Sequence, residues 1–436
     1  MFAKRIPLIV LIVCVVVLVP GAAPGSASPL QSERLAPSLT DASYRLGSEL
    51  ALSQGTPASY EEHPDVAYNY SSQRREYLVV WHNNRPVTKD IYARRVSESG
   101  QILSWFAVST ASNCLYPAVA YNHANDQYLV VWSQYNATDA RWEIYGRIIP
   151  WNGPGTHAPF EIASWSSTKL QVTAVVWNSY RNEYMVVWQT SLVSTGQLLG
   201  IGRRRLSNTG GSLDNADYIT GMGTTNQGSP DIAYNLATDG YLAVWVEPGA
   251  SAPNVYGGWL SREGALQRGK FAVESSSNEQ QQPADTTNTQ DRYMVVWQEM
   301  VSGDWDIHGK EVNSATGAPL ATLYLIAILS GADETAPDVA CNGSTGEYLA
   351  VWQKTTGSGE AIHAVGWGSG VTIYAFEVTP GGLGDNKNPA VACSVPGYVI
   401  AYEWKSWTPG SDSDIYGRLW WPEAAYLPLV ARDIDL

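Results

Sequence analysis

Six residues, "EYLVVW" at Glu76 to Trp81, return as "QYLVVW" (Gln127–Trp132), "EYMVVW" (Glu183–Trp188) and "GYLAVW" (Gly240–Trp245). They return again as "RYMVVW" (Arg292–Trp297), "EYLAVW" (Glu347–Trp352) and "GYVIAY" (Gly397–Tyr402). The copies end 50 to 57 residues apart, a period that fits units of four strands and is too long for the coils of a solenoid. Each unit opens on an extended segment, as in "PDVAYN" (Pro64–Asn69), "PDIAYN" (Pro230–Asn235) or "PADTTN" (Pro283–Asn288). After the repeated core comes a third segment such as "DIYARRV" (Asp90–Val96) or "DIYGRLW" (Asp414–Trp420), then a weaker fourth such as "WFAVS" (Trp105–Ser109). β-branched and aromatic residues fill these segments, and Gly, Asn, Ser and Asp fill the gaps, which is the pattern of strands and turns.

The "LVVW" core lacks polar alternation, so both of its faces are expected to be covered, as in a radial blade packed between two others. Its final Trp then acts as a wedge between sheets. The expected fold is all-β, a seven-bladed β-propeller of four-stranded antiparallel blades over residues 44–422. The seventh unit supplies only three strands, and "ELALS" (Glu49–Ser53) is a spare fourth-strand match ahead of the first unit. An N-terminal outer strand would then close the ring and remove an exposed edge. The competitor, "YLPLV" (Tyr426–Val430), contains Pro428, which cannot donate to a ladder.

The "PDVAYN…YLVVW…DIYGR" unit resembles a repeat of exported bacterial β-propellers, over roughly Glu49 to Trp420. The resemblance implies a scaffold and no catalytic residues. The ending "AYLPLVARD" (Ala425–Asp433) looks like a short terminal segment of exported bacterial proteins, which implies sorting or surface retention. The segments "GDWDIHG" (Gly303–Gly309) and "SDSDIYG" (Ser411–Gly417) lack the full ligand run of a calcium loop.

The start of the chain reads as export. Lys4 and Arg5 precede the apolar run Leu8–Val19 and then "PGAAPGSAS", which describes a signal peptide over residues 1–27. Residues 28–43 are expected to be a flexible segment and residues 423–436 a C-terminal tail. No later stretch is apolar and long enough for a membrane helix. Lys and Arg number 27 against 41 Asp and Glu, a net charge of −14, and "GRRRL" (Gly202–Leu206) is the one basic run, so no nucleic-acid partner is expected. Cys114, Cys341 and Cys393 remain after processing. The last two occupy equivalent repeat positions, where either a bridge or two small buried side chains would fit.

Chemistry is sparse. No nucleophile elbow, zinc helix or phosphate loop occurs. His308 and His363 replace the Tyr of "IYG" and so count as core positions. Asp65, Asp231 and Asp338 follow the opening proline in units one, four and six and are expected to converge on one mouth of a central channel. There they would hold a Ca²⁺ ion, act as an acid/base pair, or simply cap turns. No cofactor is otherwise expected. The connections between second and third strands open on the same face. They carry Trp305, Trp404 and Trp407, with His82, Gln189, Gln298, Gln353 and Glu403 just after the wedge position. Aromatics beside amides suit sugar or peptide binding, unless they only cover the rim. The first functional reading is a monomeric exported module binding a glycan, peptide or surface protein. The alternatives are an extracellular glycosidase or lyase, and a purely structural surface protein.

Overall fold

The computed structural model describes residues 44–422 except 54–58, 85–88, 112, 222–225, 289–290, 330, 358, 369–370, 380–383, 396 and 409–410, together with Val15–Leu18 and Glu33–Arg34. Among the described residues every regular element is a β-strand, and no helix is long and apolar enough to cross a membrane. Each sequence repeat forms an antiparallel sheet. In unit 1 the strands Glu61–Asn69, Glu76–Asn84, Lys89–Ser97 and Ile102–Ser109 pair in chain order. The first strands of the other units are Cys114–Asn122, Thr168–Asn178, Gly228–Asn235, Gln280–Thr287, Glu334–Cys341 and Gly384–Cys393. Units 2 and 3 are joined by one parallel pairing, Trp142 with Lys169.

The repeated six residues are the centre of each sheet. Trp132, Trp188, Trp245, Trp297 and Trp352 are fully buried, Trp81 is 2% exposed, and Tyr402 fills the same place in unit 7. Three of their indole N–H groups are bonded locally, Trp132 donating to Gln134, Trp245 to Glu247 and Trp297 to Glu299 at 3.1–3.2 Å, whereas those of Trp81, Trp188 and Trp352 find no such acceptor. Seven apolar clusters lie between successive units among the described residues. One of them sets Val66, Tyr68 and Trp81 of unit 1 against Ala390, Ala392 and Val399 of unit 7.

The glycine of "IYG" has a steric reason. A Cβ on Gly146 would stand 2.8 Å from Ile162 of the fourth strand, and the same conflict arises at Gly257 with Phe271 and at Gly309 with Ile326. In unit 7 the notch at Gly417 receives Leu52, 2.9 Å from where a Cβ would be. Tyr44–Leu46 and Leu50–Ala51 pair antiparallel with Ser413–Pro422, so the N-terminal segment occupies the fourth place of the last unit. Tyr402, where the other units have Trp, donates its hydroxyl to Glu49 of that segment at 2.8 Å. The competing segment "YLPLV" lies outside the described residues, as do most of residues 1–43; Val15–Leu18 pairs with the outer strand Pro319–Ala327.

The asparagine that ends the first strand does two tasks. Its Oδ1 accepts the N–H of the turn that follows, as at Asn69–Ser71, Asn122–Asn125 and Asn178–Arg181. Its Nδ2 reaches the turn of the next unit, from Asn69 to Asp126, Asn122 to Asn182 and Asn178 to Asp239, at 2.8–3.0 Å. Those acceptors have left-handed backbone, φ 48, 55 and 47°, where short polar side chains are the ones commonly found. The cysteines are free thiols. Cys393 donates to the carbonyl of Cys341 at 2.6 Å, so the equivalent positions hold small side chains without a bridge, Cys341 buried and Cys393 partly so. Burial pushes the Cys393 thiol up to about 11.

Candidate functional site

Six of the seven first strands begin on an X–Pro pair whose X residue is left-handed. These are His63, Tyr116, Ser229, Gln282, Ala336 and Asn388, with φ from 47 to 54°. The pairing with the second strand slips at each of these points, between Glu62 and Asp65 in unit 1 for example. A residue held there costs on the order of 1–3 kcal/mol, so the surroundings must fix it. They do so with the polar residues expected to meet a ligand. Gln189 accepts the N–H of Ser229 at 2.9 Å, Gln298 that of Ala336 at 3.0 Å, Gln353 that of Asn388 at 3.4 Å and Glu403 that of His63 at 2.6 Å. Each bond crosses from one unit to the next.

The three aspartates act alongside them. Asp65 accepts the N–H groups of Val66 and, in the next unit, Val119; Asp231 those of Ile232 and Asp285; Asp338 those of Val339 and Val391. All six bonds measure 2.7–2.8 Å. Burial, opposed by these backbone donors, raises the Asp65 carboxyl to about 7 and that of Asp338 to about 8. Among the described residues no group of three or more His, Cys, Asp and Glu is arranged to hold a metal ion. The interface between units 2 and 3, where the opening proline is replaced by Thr173, is the one crossed by the Trp142–Lys169 pairing.

The starts of the first strands of all seven repeats line a cavity of about 520 Å³. At its rim the exposed His63 ring stacks on His82 at 5.2 Å, and Tyr116 meets His63 edge-on at 4.9 Å. His82 is buried, with Nε2 3.4 Å from a Glu62 carboxylate oxygen and Nδ1 without a hydrogen-bond partner. Burial pulls the His82 ring below its usual range, and its hydrogen bond does the same to Glu62. The rim tryptophans are not drawn together at this cavity: none of Trp305, Trp404 and Trp407 lines it. Trp404 is half-buried with its edge toward Tyr416, while Trp407 is 50% exposed and donates Nε1 to Asp385 at 2.9 Å. Sequence reasoning missed His63 and Tyr116; their signal was ring-bearing residues directly before the repeat proline.

No protein-family model and no curated protein matches the sequence. Among solved structures, a protein of unknown function from Dyadobacter fermentans is 8% identical, covering 87% of this chain and 99% of that one, with a TM-score of 0.51. The β-propeller domain of the Trilobed protease from Pyrococcus furiosus is 6% identical over 82% and 93% of the two chains (TM-score 0.46). The Dos1 propeller is 9% identical over 87% and 95% (TM-score 0.48). These likenesses concern the fold. Four-stranded antiparallel sheets whose first strands gather on a cavity define a β-propeller.

Proposed function

We propose that this chain is an exported bacterial propeller of seven blades, its ring closed by the N-terminal outer strand, and that it is a monomeric binding module. Its partner is a glycan, peptide or surface protein, met on the loop face where the first strands begin. The observation that carries binding over catalysis is the use of the recurring polar groups. Asp65, Asp231 and Asp338 each have both carboxylate oxygens on backbone N–H groups. A glycosidase needs a pair of carboxyl groups free to exchange protons with substrate. What remains open at this face is ring surface, at His63, Tyr116 and Trp407, suited to stacking worth about 1 kcal/mol per contact beyond the area buried. The test is a glycan and peptide array probed with residues 28–436. A ligand held by the wild type and lost in a His63→Ala, Trp407→Ala variant supports this face. Retained binding places the site elsewhere, and release of cleaved sugar favours the enzyme.

A further inference from the structure

The opposite end of the channel carries a second and larger cavity, of about 720 Å³. Its origin lies in one repeat position. Just before the strand-ending Asn or Ser, units 1–4 carry Tyr68, Tyr121, Trp177 and Tyr234, whereas units 5–7 carry Thr287, Cys341 and Cys393. Rings on one side and small side chains on the other leave a lopsided space. Trp177, Tyr234 and Tyr70 line it; Tyr70 is 55% exposed, with its ring 5.6 Å from that of Tyr121.

The floor departs from the repeat even more sharply. Where six units have Val66, Val119, Val175, Ile232, Val339 and Val391, unit 5 has Asp285. Among the described residues Asp285 alone lines both cavities. It is 8% exposed, and neither carboxyl oxygen meets a donor at full hydrogen-bond geometry, although the Asp231 carboxyl and the Ala233 N–H lie beside it. A buried carboxyl without donors is costly, by several kcal/mol if it is charged. A second acid makes matters worse: Asp231, in the adjoining unit, lies beside it and already accepts two backbone N–H groups. Either a proton or a cation must sit at Asp285. A metal ion would need further ligands, and no such group is arranged among the described residues. Aromatic rings sharing a cavity with a carboxylate are instead the surroundings that hold organic cations.

We propose that this cavity binds the ammonium group of an organic cation, with Asp285 as its counter-charge and Tyr70, Trp177 and Tyr234 as its aromatic walls. The volume suits a small ligand or the end of a longer one. With the cavity open to water alone, burial and then the charge of Asp231 keep Asp285 protonated. Binding therefore exchanges a proton for the ammonium: Asp285 releases H⁺ to solvent and its carboxylate pairs with the cation. The other titratable groups facing it are Asp231 and Tyr234 from unit 4, Tyr293 from its own unit, and Tyr70 and Asp291 at the cavity wall. Affinity should rise with pH until Asp285 would ionise unaided. Its aromatic walls, Tyr70, Trp177 and Tyr234, do not line the first cavity, so its failure leaves the loop-face reading untouched.

The experiment is calorimetric titration of residues 28–436 with tetramethylammonium and n-butylammonium chloride, against sodium chloride. Saturable binding that strengthens from pH 6 to pH 8 is expected, with release of about one proton per ligand. Asp285→Asn should weaken it at least about tenfold while the melting curve stays cooperative. Thr287→Tyr, which restores the ring of units 1–4, should do the same by filling the space, and it decides the matter if Asp285→Asn does not fold. No saturable heat up to about 10 mM at pH 8, equal heat from sodium, or unchanged binding in the folded variant overturns the proposal.

Discussion

At the proline ends of the first strands the polar side chains recur and are nearly all engaged, whereas near the asparagine ends the repeat itself changes. Gln189, Gln298, Gln353 and Glu403 hold left-handed backbone of the next unit, and three aspartates hold its strand. The rings of His63 and Tyr116 escape that duty at the first cavity. At the second cavity three positions lose a ring and one buried valine becomes Asp285. The difference teaches that a recurring polar residue in this chain is first a joint between units. Chemistry open to a partner is to be sought where a copy departs from the others.

The wedge positions set the largest expected effect. Trp132→Ala, Trp188→Ala or Trp297→Ala should each cost roughly 3–5 kcal/mol in denaturant melts, since each empties a fully buried aromatic site. A loss below about 1 kcal/mol would mean that the core is not shared between sheets. Next comes closure: deleting Glu49–Ser53 exposes the notch at Gly417 and removes the Leu50–Ala51 pairing to Ser413–Pro422, so the whole transition should move down in temperature. Deleting residues 426–436 should leave it in place, and the reverse result would give the clasp to the C-terminus.

Joints at the two ends can be compared directly. Asn178→Ala removes donors to Asp239 and Tyr241 and strands a turn N–H, at a cost of about 2 kcal/mol. Gln298→Ala loses a neutral acceptor whose N–H donor is shared with Gln282, so about 1 kcal/mol or less is expected. A larger loss at Gln298 would make the proline end the stronger joint. The last effect is that of pH. Glu61, Asp65 and Glu334 are raised to about 7 and Asp338 to about 8, each chiefly by burial. A raised carboxyl binds its proton more tightly when folded, so its contribution is full below the ordinary carboxylate range and fades as pH climbs through 7 to 8. Glu299, lowered to about 2 against burial by His308 and other donors, has the opposite sign and acts only toward strong acid. Melting temperature should therefore be higher at pH 5 than at pH 8.5, and a rise across that interval would contradict the buried, protonated joints.

Much of the fold was legible because packing repeats. The strand limits, the buried wedge residues and the N-terminal partner of the last unit follow from copies that share one environment, down to the glycine that makes room for Ile162, Phe271, Ile326 and Leu52. The site was less legible for a physical reason. Gln189 in a sequence is an amide after a Trp; that its acceptor meets Ser229 depends on a backbone turned left-handed 40 residues later. The same blindness hid the reason for the asparagines, whose partners lie in the next unit. Asp285 was readable by aligning the copies, as the one acid in a column of Val and Ile, but only the structure shows that neither of its oxygens meets a donor at full hydrogen-bond geometry.

The pairing of Leu50–Ala51 with Ser413–Pro422 joins an early strand to the last described one, and Ser53 reaches Asp414 across a sequence separation of 361 residues. A chain synthesised N-terminus first cannot make that contact until the final unit has emerged. Until then the unpaired edge of the early strand must stay unaggregated for nearly the whole of synthesis. The entropy of bringing the ends together grows only slowly with length, about 0.6 kcal/mol per doubling, so distance is a small obstacle once both are present. The controlling quantity is waiting time. A pause late in synthesis, before Ser413 appears, leaves a nearly finished molecule with both ends of its clasp apart.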